Sequence, residues 1–323
     1  MQAGLSAVPR PGRQLQRRLK GRVAAAVDAA CRLELESPKP GNVSRGRDLP
    51  GLSFEAMSRS ARAIAPVFAR HPRARVGRLV LEAVRATRRS ARTNTNLGIV
   101  LLLAPLARAA AGAVSRTTGR GAPAGGPISA ARLRVLLRQV LARLDRRDAS
   151  DAYRAIRIAR PGGIGRVESQ DVRREPTVTL IQAMRLAAGR DAIAAEYATG
   201  YMVTFDLGLP TLRRLLRIGV PVEAAIAQTF LAILAARPDT LIRRRHGDDA
   251  AHRVTLEAIR CLRAGGVLTP EGRRRIALLD RSLRRHRPRI NPGATADLVV
   301  ASHFVWLIGS TDRNWPALPE SIR

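Results

Sequence analysis

The stretch Leu97-Gly-Ile-Val-Leu-Leu-Leu-Ala-Pro-Leu-Ala107 is the most apolar part of the chain. It contains Pro105 and is closed by Arg108, so it falls well short of the roughly 20 apolar residues that a membrane span requires. We therefore expect a core helix here and no membrane segment.

Around this stretch, apolar residues recur at three- and four-residue spacing, which is typical of amphipathic helices that pack on one another. Of the 323 residues, 46% are hydrophobic and only 3% are aromatic, a mixture with few strand formers. No alternating strand pattern persists, and no repeat recurs at a fixed period. The sequence predicts an all-α fold, arranged as a single multi-helix globular domain.

Gly- and Pro-rich segments separate the predicted helices and set the expected borders of the domain. We expect the helical domain to cover residues 14–310, between a flexible basic tail at 1–13 and a C-terminal tail at 311–323. The segment from Gly119 to Pro127 is predicted to be a mobile surface loop. The predicted helices are 14–36, 53–69, 75–91, 95–116, 128–146, 149–159, 176–207, 210–218, 221–236, 248–265, 270–286 and 293–309.

The charge of the chain is strongly basic, with 57 Lys and Arg against 25 Asp and Glu and a formal net charge of +32. Such a charge suits a nucleic-acid binder, because each neutralised phosphate releases counterions. The arginines are spread over nearly every predicted helix, however, and no aromatic residues alternate with them as a stacking platform. We favour a coding bias toward arginine, combined with attraction of small polyanions, and expect no specific nucleic-acid partner.

The two cysteines, Cys31 and Cys261, lie far apart and show no spacing of a metal site or a disulfide framework. A reducing cytoplasm is the natural inference. The basic first residues lack the apolar segment of a signal peptide. Homo-oligomerisation is left open.

The loop Ser37-Pro-Lys-Pro-Gly-Asn-Val43 directly follows an apolar helical pattern. Its prolines restrict the path of Lys39, and Gly41 lets the backbone approach a ligand. Lys39 and Lys20 are the only lysines in the chain, so a compact ammonium is kept where arginine is otherwise used. The loop predicts an exposed, phosphate-binding Lys39, and the alternative is a helix-ending turn with a solvated lysine.

Polar residues also precede two of the predicted helices. Thr93-Asn-Thr-Asn-Leu-Gly98 places hydroxyls and amides before the core helix, although one such residue suffices for an N-cap; a bound ligand or an ordinary capped helix explains it. Asn291-Pro-Gly-Ala-Thr-Ala-Asp297 opens the last helix with Asp297 in semi-apolar company. Such a carboxylate is a candidate for a shifted pKa.

Two further segments carry glycines, acids and histidines. Pro161-Gly-Gly-Ile-Gly165, with Gln170-Asp171 beyond it, has no strand before it, so it is not a dinucleotide-binding fingerprint. Asp239, in Pro238-Asp-Thr-Leu-Ile, offers the hard oxygen ligands that Mg²⁺ prefers. His246 and His252 do not suit zinc, because Gly247 interrupts the helix that would align them.

Taken in order, these stretches resemble the triphosphoribosyl-dephospho-CoA synthase family, which builds the prosthetic-group precursor of citrate and malonate lyases. The resemblance runs from about Glu34 to Phe304, and it implies an all-α fold with ATP as donor, 3′-dephospho-CoA as acceptor and adenine as leaving group. Ser44 stands where family members tend to carry Asp or His. The motifs are 38–42, 93–98, 161–165 with 170–171, 239–242 with 246–247, and 291–293 with 296–297.

Loss of adenine from C1 of a ribose passes through an oxocarbenium-like centre, so the family's chemistry calls for a carboxylate. The catalytic candidates are Asp297, Asp171 and Glu34. Asp239 is the candidate for Mg²⁺, which would accompany ATP. The candidates for binding ATP or the acceptor are Lys39, Asn42, Asn94, Asn96, Gly98, Arg243, His246, Asn291 and Gly293.

Other functions stay open at this point. The Thr-Asn-Thr-Asn and Pro-Gly-Gly-Ile-Gly segments look more like the branch found with methanopterin-type one-carbon chemistry, whose acceptor would be another alcohol. A non-catalytic basic protein that binds a nucleotide or nucleic acid is the alternative of another class, but it does not need acids near its ligand. A helical scaffold leaves the Asn- and Gly-rich turns unexplained.

Overall fold

The structure, a computed structural model, describes residues 11–91, 93–114, 126–286 and 288–311. Within these ranges it contains α-helices, one π-helix (Val203–Gly208), one 3₁₀ helix (Gly266–Leu268) and no β-strand, which confirms the all-α prediction. The helices are α1 (Pro11–Glu36), α2 (Phe54–Arg70), α3 (Val76–Ala91), α4 (Leu97–Val114), α5 (Ala130–Ala142), α6 (Arg146–Ala159), α7 (Leu180–Ala187), α8 (Ala192–Thr199), α9 (Leu209–Arg217), α10 (Val222–Ala236), α11 (Thr240–His246), α12 (Asp248–Arg263), α13 (Pro270–Arg285) and α14 (Gly293–Ile308).

Helix α4 is the predicted core helix, and it lies at the centre of the fold. Val100, Leu102, Leu103 and Leu106 have no exposed surface, and burying each such side chain contributes about 1.5–3 kcal/mol to folding. The helix packs against α1, α3, α5 and α14. Helices α1 and α14 also pack against each other, so α1, α4 and α14 are in mutual contact.

The single helix predicted at 176–207 is wrong. The structure has α7, α8 and the π-helix in its place. Asp191 ends the first break by accepting hydrogen bonds from the backbone N–H groups of Ile193 and Ala194, which makes it the N-cap of α8. Gly200 then adopts a φ of +67° and ends that helix. The three- and four-residue spacing of apolar residues continues across both caps. Spacing alone therefore predicted one helix.

Helix α11 was missed, because its seven residues are too short to show an apolar period. The domain borders stay a prediction, since residues 1–10 and 312–323 lie outside the described residues; α1 begins at Pro11, inside the predicted tail. Residues 119–125 of the predicted surface loop also lie outside them. Both cysteines are buried and free.

By length and apolarity, no single helix in the described ranges qualifies as a membrane span; α10 and α11 reach that threshold only when joined across a 59° bend.

Candidate active site

A cavity of about 460 Å³ opens where α1, α4 and α14 meet, a volume within the roughly 300–1,000 Å³ of ligand pockets. The turn between α7 and α8, helix α11 and the loop from 160 to 172 complete its wall. We call it the central cavity. It brings together most of the predicted site residues, namely Glu34, Asn42, Asn94, Asn96, Gly98, Asp171, Asn291, Gly293 and Asp297. Lys39, Asp239, Arg243 and His246 lie outside its lining.

Asp297 lies in the first turns of α14, at the floor of the central cavity. Burial raises the pKa of Asp297 well above its usual value, and the nearby charge of Glu34 adds to the increase. The sequence identified Asp297 as a candidate for a shifted pKa without giving the direction of the shift. Gly98 faces this carboxylate so closely that a Cβ atom at position 98 would overlap it. The glycine therefore provides the space that the carboxyl group occupies.

Glu34, in the cavity wall, forms a buried ion pair with Lys39, which lies behind it. Glu34 Oε1 lies 3.1 Å from Lys39 Nζ, and the two residues are 1% and 2% exposed. The ammonium also donates hydrogen bonds to the carbonyl oxygens of Glu34 and, at 2.6 Å, Ser37. Burial lowers the pKa of Lys39.

The expectation of an exposed Lys39 is therefore wrong. Helix α1 ends in carbonyl groups that have no donor within the helix, and the ammonium supplies donors to them while it faces Glu34. Lys39 thus supports Glu34 from behind and is not part of the cavity wall.

Amide side chains line the middle of the cavity. Asn96 accepts a hydrogen bond of 2.8 Å from the Thr87 hydroxyl, but its buried Nδ2 has no hydrogen-bond partner. Asn94 accepts from the backbone N–H of Leu97, the first residue of α4. Asn42 Nδ2 lies 3.3 Å from Asn291 Oδ1. The unused donor of Asn96 is the group most clearly available to a ligand.

The arginines at the mouth of the cavity do not include Arg243, the arginine that the sequence predicted. Arg243 lies outside the lining, where it donates to the Gly189 carbonyl and pairs with Asp248. Its neighbours Arg244 and Arg245 are in the wall instead, together with Arg166 and Arg190. Successive helical residues point about 100° apart, and the sequence does not indicate which of three consecutive arginines turns inward.

These cavity arginines are not equivalent. Arg244 forms an ion pair with Asp191, and Arg190 donates to the Leu186 carbonyl. In the described parts of the chain, Arg166 and Arg245 have neither an ion pair nor a hydrogen bond. Their guanidinium groups are therefore available to an anion.

His246 is also outside the cavity lining. Its ring packs edge-on against His286, with ring centres 5.6 Å apart. Burial, together with the neighbouring His286, lowers the pKa of His246. It is the last residue of α11 and contributes no group to the cavity wall.

Asp239 does not fit the role of metal ligand that the sequence predicted for it. Its Oδ1 accepts hydrogen bonds from the backbone N–H groups of Leu241 and Ile242, and its Oδ2 accepts from the N–H and the hydroxyl of Thr295. With four donors and 2% exposure, this carboxylate has no free lone pair for a cation. The described residues also contain no group of three or more His, Cys, Asp or Glu side chains arranged around a metal position.

Asp171 orders the loop that covers one side of the cavity. Its two oxygens accept hydrogen bonds from the backbone N–H groups of Arg173 and Val167, at 2.9 and 3.1 Å. These bonds hold the pKa of the Asp171 carboxyl below its usual value. In the same loop, Gly162 packs closely against the Arg245 guanidinium. The predicted glycine turn is thus part of the site, beside the arginines that the sequence did not single out.

A protein-family model, CitG, described as ATP:dephospho-CoA triphosphoribosyl transferase, matches residues 20–315. A probable 2-(5''-triphosphoribosyl)-3'-dephosphocoenzyme-A synthase of Pseudomonas putida is 31% identical over 129 residues, which are 40% of this chain and 45% of that protein. The corresponding protein of Stutzerimonas stutzeri (strain A1501) is 32% identical over 106 residues, 33% of this chain and 36% of that protein. The matched segments therefore span less than half of each relative.

A solved structure has the same fold. The crystal structure of a protein named as a triphosphoribosyl-dephospho-coA synthase, from Archaeoglobus fulgidus, superposes with a TM-score of 0.56. The match covers 78% of this chain and 98% of that chain, at 24% sequence identity. At this identity the likeness concerns the fold alone.

Proposed function

The chain belongs to the ATP:dephospho-CoA triphosphoribosyl transferase family, and we propose that it transfers the 5-triphosphoribosyl group of ATP to a ribose hydroxyl of 3′-dephospho-CoA with release of adenine. The observation that carries this proposal is the pairing of two carboxyl groups in the central cavity, the buried Glu34 and the partly buried Asp297, with unpaired guanidinium groups at its mouth. A reaction at a ribose that carries a triphosphate needs both kinds of group at once.

The two carboxyl groups have different surroundings, which is the arrangement that separates an acid from a base. Burial raises the pKa of Asp297 well above its usual value, which favours the protonated form that a general acid needs. Glu34 faces the Lys39 ammonium as its counter-ion. We assign the general acid to Asp297 and the general base to Glu34.

The bond between C1 of the ribose and the adenine nitrogen breaks, and its electron pair leaves with adenine, which takes a proton from Asp297. The oxygen of the acceptor hydroxyl forms the new bond to C1, and its proton passes to Glu34. Charge that develops on the ribose is stabilised by the Glu34 carboxylate.

The triphosphate would be bound by Arg166, Arg190 and Arg245, which line the cavity without a carboxylate partner. Guanidinium groups form paired, charge-assisted hydrogen bonds with phosphate oxygens. Since Asp239 does not fit a metal, Mg²⁺ would enter bound to the phosphates of ATP, with phosphate oxygens and water as its ligands. The free Asn96 amide would donate to a ribose hydroxyl.

The test is an assay in which mass spectrometry measures adenine release from ATP, with and without 3′-dephospho-CoA. We expect adenine and a product heavier than dephospho-CoA by one triphosphoribosyl group to form in equal amounts. Adenine release that requires another alcohol acceptor would change the acceptor but keep the chemistry. Failure to release adenine with every acceptor would refute the proposed function.

A further inference from the structure

A second cavity, of about 430 Å³, adjoins the central one. The structure lines it with Leu49, Pro50, Leu52, Arg245, Pro288, Arg289 and Asn291. Three of these residues, Leu52, Arg245 and Asn291, also line the central cavity. The two cavities therefore share a wall, and we call the second one the side cavity.

The charged groups of the side cavity are two arginines without counter-ions. Arg245 and Arg289 have no ion pair within the described ranges, and the buried Nε of Arg289 has no hydrogen-bond partner. No carboxylate of the described residues lines this cavity. Two other arginines nearby, Arg47 and Arg284, both pair with Asp280. A buried N–H without an acceptor is unfavourable, so the side cavity is suited to an anion.

The remaining walls are apolar and held in place. Leu49 and Leu52 exchange two backbone hydrogen bonds, of 3.0 and 2.9 Å, across a tight turn. The opposite wall is fixed by the Ile290 N–H, which donates to the Leu283 carbonyl at the end of α13. The cavity is therefore preformed, with guanidinium groups beside Leu49, Pro50 and Pro288.

A transfer between two substrates requires that both are bound together. If the reacting ribose of ATP lies at Asp297 and Glu34, the acceptor hydroxyl must reach it through an opening in the wall of the central cavity. The shared residue Asn291, which contacts Asn42, lies on that wall. An acceptor that lies across this shared wall reaches both cavities.

We propose that the side cavity is the binding site for the acceptor, a nucleotide whose phosphate groups contact Arg289 and whose uncharged arm lies against Leu49, Pro50 and Pro288. This inference rests on the proposed function. It makes Arg289 a residue that determines affinity for the acceptor and not for ATP.

The decisive variant is Arg289→Ala, compared with Arg285→Ala on the exposed end of α13. We expect Arg289→Ala to raise the KM for 3′-dephospho-CoA about tenfold or more, the scale of one lost charged hydrogen bond, with the KM for ATP changed less than about twofold. Arg285→Ala should change neither. An equal rise in both KM values, or no change in either, would overturn the assignment.

Titration calorimetry with 3′-dephospho-CoA separates this inference from the proposed function. Binding that Arg289→Ala weakens, in an enzyme that releases no adenine, would refute the transfer chemistry and support the side cavity. Adenine release with acceptor affinity independent of Arg289 would do the reverse. Circular dichroism of both variants checks that they are folded.

Discussion

Lys39 and Glu34 form an ion pair that is shielded from solvent: their side chains are 0% and 2% exposed, and Lys39 Nζ lies 3.1 Å from Glu34 Oε1. A buried pair of this kind depends on both partners, because removing one leaves a charge without compensation. The pair holds the Glu34 side chain in the wall of the central cavity, with Lys39 on the side away from the cavity. It also replaces the role that the sequence indicated for Lys39, direct contact with phosphate.

Replacement of Lys39 by methionine should therefore destabilise the protein. Met keeps the length of the side chain but leaves the Glu34 carboxylate buried without a counter-ion, and we expect a loss of about 3–5 kcal/mol in the free energy of unfolding. Chemical denaturation measures it. The double variant Lys39→Met/Glu34→Gln should recover part of the loss. A single variant that is as stable as the wild type, with only a higher KM for ATP, would restore the phosphate-binding role.

Replacement of Asp297 by asparagine should affect chemistry and spare binding. Asn keeps the size of the side chain but cannot donate a carboxyl proton, so adenine release should slow at least about a hundredfold. ATP affinity, measured by titration, should change little. Asp249→Asn, an exposed acid on α12, is the matched control. Full turnover by Asp297→Asn would make Asp297 a structural residue.

The pH dependence of stability follows from the raised pKa of Asp297. The folded protein keeps this proton at pH values where the unfolded chain has lost it, so the stabilising contribution is complete below the unfolded value of about 4 and is lost as the pH rises toward the folded value. Asp297→Asn does not titrate. The variant should therefore be at least as stable as the wild type at pH 7, with a smaller advantage near pH 4. Thermal unfolding across this range checks the trend, and an advantage that grows toward pH 4 would contradict it.

Two glycines of α4 should respond in opposite ways to alanine. A Cβ atom at position 98 would overlap the Asp297 carboxyl group, so Gly98→Ala should cost about 1–3 kcal/mol of stability and reduce adenine release. A Cβ atom at position 112 would meet only the Arg108 guanidinium, at an ordinary contact distance of 3.8 Å. Gly112→Ala should stabilise the helix by up to about 1 kcal/mol and leave turnover unchanged. Equal effects at the two positions would show that helix propensity alone is measured.

The role of Asp239 can be tested by Asp239→Asn. An amide cannot accept all four hydrogen bonds, so we expect a loss of about 2 kcal/mol or more of unfolding free energy, the upper range for a helix cap. The dependence of turnover on Mg²⁺ concentration should stay as in the wild type. A variant with normal stability and a strongly raised Mg²⁺ requirement would instead support the original metal prediction.

The sequence predicted long helices well, because their apolar period extends over several turns; α10 and α14 begin and end within one residue of their predicted limits. It also indicated Asp297, whose apolar neighbours are on the same helix. It failed for Lys39 and Arg243, whose surroundings depend on how separate segments pack. No local sequence pattern indicates that Lys39 folds back over the end of α1. None indicates which side of α11 faces the cavity.

The carboxylate of Asp239 has a consequence for which substrates fit. One oxygen holds the start of α11, which carries Arg245, and the other holds the start of α14, which carries Asp297. Helices joined in this way keep a constant separation between the cationic end of the site and its acid. In the proposed ATP site, a nucleotide whose phosphate chain does not match the separation of Arg245 and Asp297 would reach only one of them, so the buried Asp239 would help to select the length of the phosphate chain without touching the ligand.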